Sequence, residues 1–282
     1  MTTSLTQKLG PFGVWRRGPD LDAALAAHIE RLGFASLWVG GSPSDDLTQI
    51  EELLDATEHI VLATGIVNIW NTDPVAVAAS YRRIAAKHPG RFVLGVGVGH
   101  PEASGQDAAR PFEPLVRYLD ALDAAGVPRD ELVLAALGPR VLRLAAERTA
   151  GAHPYLVTPE FNIGARDLLG DAVLATEQHV VLNPDPQVAR EVGRASLQNY
   201  LRMSNYVTHF HRMGFSDDDV ALPGSDNFVD EIIVSGDDAT IRARLTAHLD
   251  NGADLVAVQL VHAPGEDVYE AFRRLAGILG LS

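Results

Sequence analysis

The run Arg91-Phe92-Val93-Leu94-Gly95-Val96-Gly97-Val98-Gly99-His100 reads as a β-branched and aliphatic strand that ends in three alternating glycines. Outward from it in both directions, short apolar runs alternate with longer stretches of helical period, the pattern of parallel strands joined by crossover helices. Strands are expected at residues 12–15, 36–40, 60–67, 91–98, 132–137, 153–157, 179–183 and 255–260. A helix is expected over 20–32, with an Asp cap, apolar residues at Leu21, Leu25, Ile29 and Leu32, and a stop at Gly33. Eight parallel strands in about 260 residues match a closed (β/α)8 TIM barrel better than an open doubly wound sheet, and that architecture commonly runs as one domain. The expectation is a single α/β domain over residues 1–282. Roughly 70 residues separate the seventh strand from the eighth, far more than one helix connection needs. They read mostly helical, clearest at 186–206 and 239–249, so a helical insertion is expected between strands 7 and 8.

Composition narrows the chemistry. The 282 residues carry 23 basic against 37 acidic side chains, a formal charge of −14, so a nucleic-acid backbone would meet net repulsion, and no local basic patch offsets it. Lysine occurs only at Lys8 and Lys87. There is no cysteine, which excludes disulfides, thiol nucleophiles and iron–sulfur or cysteine–zinc ligation. The first 18 residues have no apolar core of a secretory signal, and no uncharged apolar run approaches ~20 residues. The expected setting is the cytoplasm, with no membrane partner.

In a barrel, functional groups sit at the C-terminal strand ends. The glycines at 95, 97 and 99 permit close backbone approach and leave N–H groups for an anion or a carbonyl oxygen; close packing of the strand explains them equally well. His100 is a candidate proton donor or a polar loop residue. Gly138-Pro139-Arg140, where a strand hands over to a helix, is a candidate phosphate seat or an ordinary helix start. Trp15 and Trp70 are expected to wall a pocket suited to a planar ring, and Trp38 to lie in the core. His209 and His211 form an HxH within the insertion. On a helix two such residues diverge, so no metal role is expected. Asp217-Asp218-Asp219 reads as a solvated turn and cap. Neither a Walker loop nor a GxSxG elbow occurs.

Taken in order, several stretches resemble the bacterial luciferase-like monooxygenase superfamily, in particular its deazaflavin (coenzyme F420) dependent oxidoreductases. They are Leu32-Gly33-Phe34 with Ser36-Leu37-Trp38-Val39-Gly40, Ala63-Thr64-Gly65-Ile66-Val67-Asn68-Ile69-Trp70, and the glycine run at 91–100. Leu137-Gly138-Pro139-Arg140, Tyr155 to Glu160, and Gly252-Ala253-Asp254-Leu255-Val256-Ala257-Val258-Gln259 extend the likeness over nearly the whole chain. The resemblance implies a barrel with an insertion before its last strand and a cofactor at the C-terminal mouth. It places a bulge, often with a non-prolyl cis peptide, at Gly65-Ile66 behind the cofactor ring. It places Gly97, Val98, Gly99 and His100 at ring and phosphate, Gly138, Pro139 and Arg140 near the phosphate tail, and Thr158 more loosely there. One departure stands out: relatives acting on alcohols and sugars often carry an acidic residue and a His after the second strand, where this chain has Gly40-Gly41-Ser42. Substrate activation is then expected from His100, Asn68, Trp70 or Ser42, with Trp15 and Trp70 against the substrate. The implied function is hydride transfer between F420 and a small organic substrate. The rivals are an FMN-dependent monooxygenase and a non-catalytic F420-binding protein. Relatives are often dimers, so a homodimer accords with the resemblance.

Overall fold

The computed structural model describes residues 4–99, 111–262 and 265–281. In chain order the strands are β1 (Phe12–Arg17), β2 (Ser36–Gly40), β3 (Val61–Thr64), β4 (Val67–Asn68), β5 (Phe92–Gly97), β6 (Leu132–Leu134), β7 (Gly151–Ala152), β8 (Val173–Val181), β9 (Ile233–Ser235) and β10 (Leu255–Leu260). All pairings are parallel. The neighbours run β10-β1-β2-β3-β5-β6-β7-β8, and β8 pairs back onto β10, which closes an eight-stranded barrel. β4 continues β3 along β5, while β9 lies beside the end of β8, with Ile233 opposite His179.

Period-two alternation sorts the side chains. Val61, Val93, Val133, Val173 and Leu255 point into the barrel, with Leu9 of the helix Leu5–Leu9 packed against them. Trp38, Ala63, Ala175 and Ala257 belong to the same inner cluster, so the interior is filled rather than hollow. Residues of opposite parity, such as Leu37, Leu62, Leu94, Leu132 and Val256, face the surrounding helices. The expected insertion is present between the seventh and eighth barrel strands: helices Pro186–Leu197, Ser204–Arg212, Asp217–Val220 and Asp226–Ile232 have an apolar core of their own around Phe210 and Phe228.

Several boundaries differ from the sequence reading. The helix expected over 20–32 is Ala23–Arg31, capped by Asp22, whose carboxylate accepts the Leu25 N–H at 2.8 Å, and Gly18–Asp20 forms a separate 3-10 turn. The sixth barrel strand is Gly151–Ala152 and not 153–157, because Pro154 lacks an N–H and Leu156 is left-handed (φ 55°). The seventh starts at Val173, six residues before the expected 179. The expected helix over 186–206 breaks after Leu197 into the 3-10 turn Tyr200–Arg202. No helix among the described residues is long and apolar enough to cross a membrane.

A polar chain crosses the otherwise apolar layer between β8 and its helices. Thr176 donates to Asn162 Oδ1 (2.9 Å), Asn162 Nδ2 donates to His248 Nδ1 (3.0 Å), and His248 Nε2 donates to Gln178 Oε1 (2.8 Å). Gln178 in turn donates to the carbonyls of His179 and Ile232. Each member is buried and partnered, which makes the chain compatible with a dry layer.

Two glycines give a matched test. A Cβ on Gly95 would fall 1.9 Å from the Thr64 carbonyl oxygen, whereas one on Gly164, in the helix Pro159–Leu169, meets nothing within 4 Å. Urea unfolding is expected to show Gly95→Ala losing more than about 3 kcal/mol, or failing to fold. Gly164→Ala is expected to gain about 0.5–1 kcal/mol.

Candidate active site

The C-terminal strand ends open onto a largely apolar cavity of about 700 Å3. Its floor is made by close approach of backbone. Thr64 Oγ1 donates to the Gly95 carbonyl and accepts the Gly95 N–H, both at 2.8 Å, so β3 and β5 touch without a side chain between them. Beyond this contact the Gly65-Ile66 peptide is cis. A Cβ on Gly97 would lie 3.2 Å from Ile66 Cγ1 and 2.7 Å from Ala135 Cβ, so the glycine makes room for the Ile66 side chain, which lines the cavity. Gly95 and Gly97 therefore serve packing of the bulge. Of the two readings of these glycines, free N–H groups do not apply to Gly95, whose N–H is used.

Trp15 lies across Gly40 and Gly65; Cβ atoms there would fall 2.0 Å from its Cζ2 and 2.7 Å from its Nε1. The indole is buried, its Nε1 has no hydrogen-bond partner, and its ring packs against Tyr155 at 5.3 Å between centroids. Beside it His153 stacks on Trp38, with centroids 4.2 Å apart and planes 20° from parallel. His153 Nδ1 stands 2.7 Å from the Ala175 carbonyl, which must accept its proton, so Nε2 carries the lone pair and is left without a partner. Burial pushes the His153 pKa down to about 4, against the opposing pull of that carbonyl, so the ring is neutral at pH 7.

On the same inner face, Glu177 and His179 stand two apart on β8. Both are fully buried, with Glu177 Oε1 3.0 Å from His179 Nδ1 and Oε2 accepting the Leu156 N–H at 3.1 Å. Tyr155 bridges this layer to the cavity wall. Its hydroxyl donates to Gln259 Oε1 (2.9 Å), which makes the Tyr200 hydroxyl, also 2.9 Å away, the donor to Tyr155. Burial raises the phenol pKa of Tyr155 and Tyr206 well above 10, so both keep their protons.

Of the residues singled out from sequence, Trp15, Ser42, Gly65 and Ile66 line the cavity, as do Val98, Gly99 and Gly138. Others do not reach it. Asn68 is buried behind the bulge, its Oδ1 accepting the Trp70 N–H at 3.0 Å, and Trp70 packs on the outer core with a buried, unpartnered Nε1. Gly97 lies under Ile66, and Thr158 is buried at the N-cap of the helix Pro159–Leu169. Pro139 opens the helix Pro139–Arg148. Arg140 is turned to the surface, 3.2 Å from Glu113 and with its guanidinium 3.5 Å over the Phe112 ring. His100 lies outside the described residues.

The cation at the Gly138 turn is Arg212, whose Nη1 stands 3.5 Å from the Gly138 Cβ position. It was legible only as one face of an insertion helix, where Asn205, Thr208 and Arg212 recur at helical spacing and line the cavity together. Arg17, His153, Tyr155 and Tyr200 are further lining residues the sequence reading did not single out. His153 and Tyr155, two apart in an expected strand, carried the signal of a shared face. His209 and His211 diverge: the first is buried against Phe161, while the second is exposed beside Asp217. Among the described residues no group of three or more His, Asp or Glu is placed to hold a metal.

A luciferase-like monooxygenase family model matches residues 19–255. The chain belongs to that family. Solved structures share the fold of this luciferase-like protein over nearly its whole length. An F420-dependent secondary alcohol dehydrogenase, in complex with an F420-acetone adduct, superposes with a TM-score of 0.74 at 15% identity, covering 96% of this chain and 98% of its own. An F420-dependent tetrahydromethanopterin reductase from Methanopyrus kandleri gives 0.67 at 16% identity, covering 95% and 97%. The oxygenating constituent of 3,6-diketocamphane monooxygenase from Pseudomonas putida, with FMN, gives 0.69 at 13% identity, covering 96% of each chain. At such identities the likeness is one of fold. No curated protein sequence matches significantly.

Burial of three histidines makes this luciferase-like barrel acid-sensitive. His153 and His209 are pushed down to about 4 and His248 to about 3, in each case chiefly by desolvation. Between those values and the unfolded value near 6.5 the unfolded chain binds more protons, so stability is full above about pH 6.5 and falls as pH drops toward 4. The slope reaches about 1.4 kcal/mol per pH unit for each histidine. Neither ring nitrogen of His209 has a hydrogen-bond partner among the described residues. Urea titrations at pH 7 and pH 5 are expected to show His209→Leu more stable by about 1 kcal/mol or more, with the pH slope reduced by one proton.

Proposed function

We propose that the protein is an oxidoreductase that binds F420 in the cavity at the barrel mouth and exchanges a hydride between it and a small organic substrate. One observation carries the reading: the Ile66 side chain, seated on Gly97, presents an apolar platform inside a cavity whose far rim holds a glycine turn with Arg212 beside it. The residues fit such a group. A volume of about 700 Å3 suits a tricyclic ring with part of its tail. The buried, unpartnered nitrogens of Trp15 and His153 beside Gly65 mark a polar spot in an otherwise apolar floor. When bound, the deazaflavin supplies the hydride chemistry; the protein supplies position, exclusion of water and protons.

The chain's own contributions follow from the geometry. Ile66 and the Gly65 backbone support one face of a planar ring, and Trp15 and Tyr155 close the side of the cavity against water. Arg212 and the positive end of the helix Pro139–Arg148 offer positive charge to a phosphate. The second-strand end, Gly40-Gly41-Ser42, supplies no acid or imidazole. Proton-bearing groups on the described wall include the hydroxyls of Tyr155 and Tyr200, directed by Gln259. Tyr155, which keeps its proton at pH 7, serves as a hydrogen-bond donor to a substrate oxygen once Gln259 turns away.

Fluorescence titration with F420, and with FMN in parallel, tests this reading. The expected result is micromolar F420 binding with FMN at least tenfold weaker. Arg212→Ala is expected to weaken F420 by tenfold or more, while Arg140→Ala, whose guanidinium faces Glu113, stays within about twofold. Preference for FMN would assign the site to a flavin monooxygenase of the same fold, and binding of neither would overturn the reading.

A further inference from the structure

We propose that the substrate is an organic carboxylate, anchored by the Arg17 guanidinium beside Ser42; this rests on the reading of the cavity as the reaction site. The chain carries a formal charge of −14, yet the described residues lining the cavity include Arg17 and Arg212 and neither Asp nor Glu. Elsewhere in the molecule many arginines are matched, although Arg31, Arg117, Arg143 and Arg202 have no partner among the described residues. Arg83, Arg148, Arg166, Arg190, Arg194 and Arg274 are each paired with a carboxylate. By contrast, the guanidinium groups of Arg17 and Arg212 make no hydrogen bond or ion pair with a described residue. Two cations with no partner among the described residues, in one largely apolar cavity of an acidic protein, are positioned for anions that come from outside.

The two cations serve different anions because of where the fold puts them. Arg17 ends β1, and Arg212 stands at the turn that follows β6. In the ring order these strands are four steps apart in a barrel of eight, so the two positions face each other across the mouth. An anion at Gly138 leaves Arg17 unneutralised. Arg17 pairs in register with Gly40, and the Gly41 Cβ position is 3.8 Å from the Gly18 nitrogen, so the turn carrying Ser42 packs directly on its segment. Ser42 lines the same cavity and adds a hydroxyl. Arg17 also lies near Tyr200, where it opposes the larger upward push that burial gives that phenol. A planar guanidinium with a hydroxyl at its side matches a carboxylate, which accepts two parallel N–H bonds. The carboxylate is an anchor and not the reacting group.

Ligand-observed NMR on the protein without cofactor tests this with matched pairs: benzoate against benzamide, and hexanoate against hexanamide. Each carboxylate is expected to bind at least tenfold more tightly than its amide, less so at high salt. That advantage is expected to vanish in Arg17→Met, survive in part in Arg17→Lys, and persist in Arg212→Met. The same variants are titrated with F420, where Arg17→Met is expected to keep wild-type affinity. The proposal is overturned if no carboxylate outbinds its amide, if the advantage survives Arg17→Met, or if Arg17→Met loses F420 as Arg212→Met does. An Arg17-dependent carboxylate preference in a protein that binds neither F420 nor FMN would uphold the anion site and remove the cofactor reading.

Discussion

The carbonyl oxygen of Thr64 occupies the place where a Cβ of residue 95 would sit, 1.9 Å from that position. The rest of the barrel mouth depends on this contact. With nothing between β3 and β5, the Thr64 hydroxyl closes a two-way bond to Gly95, and the chain beyond it swings inward as the Gly65-Ile66 bulge. Ile66 can enter only because residue 97 has no side chain, and Trp15 can lie over the bulge only because residues 40 and 65 have none. Side chains absent from four positions thus position the two that shape the cavity. Strand glycines weaken a sheet, and here the helices and the filled interior hold the ring closed despite them.

The polar groups of β8 show the difference between a wall and a site. On its outer parity Thr176 and Gln178 enter a chain with Asn162 and His248 in which each acceptor is used. On its inner parity Glu177 and His179 form a buried pair, and on the same inner face Trp15 and His153 each leave a nitrogen unpartnered. Burial without partners costs free energy, of the order of 1–3 kcal/mol per group. The outer chain contains no such group, whereas Trp15 and His153 at the cavity each hold one, as do Trp70 and His209 away from it.

The eight-strand count and the insertion were readable because aliphatic runs separated by helical periods leave a strong pattern, and the stretch from Leu32 to His100 carried the family likeness. What misled was polarity. Thr176, Glu177, Gln178 and His179 looked unlike a strand, so the seventh strand was expected to begin at 179, although all four are buried within it. Conversely, Tyr155, Leu156 and Val157 looked like a strand and form a loop. Arg140 drew attention at the Gly138 turn because it is adjacent in sequence. Arg212, more than 70 residues away, reaches that turn through the packing of the insertion, which no local pattern encodes.

The most direct test is a crystal structure of the protein soaked with F420. The account predicts density for the ring on the Ile66 side chain at the barrel mouth, with the phosphate within hydrogen-bond distance of Arg212 and the turn at Gly138. Density for the ring away from Ile66, or a phosphate seated on Arg140 at the outer surface, would contradict it.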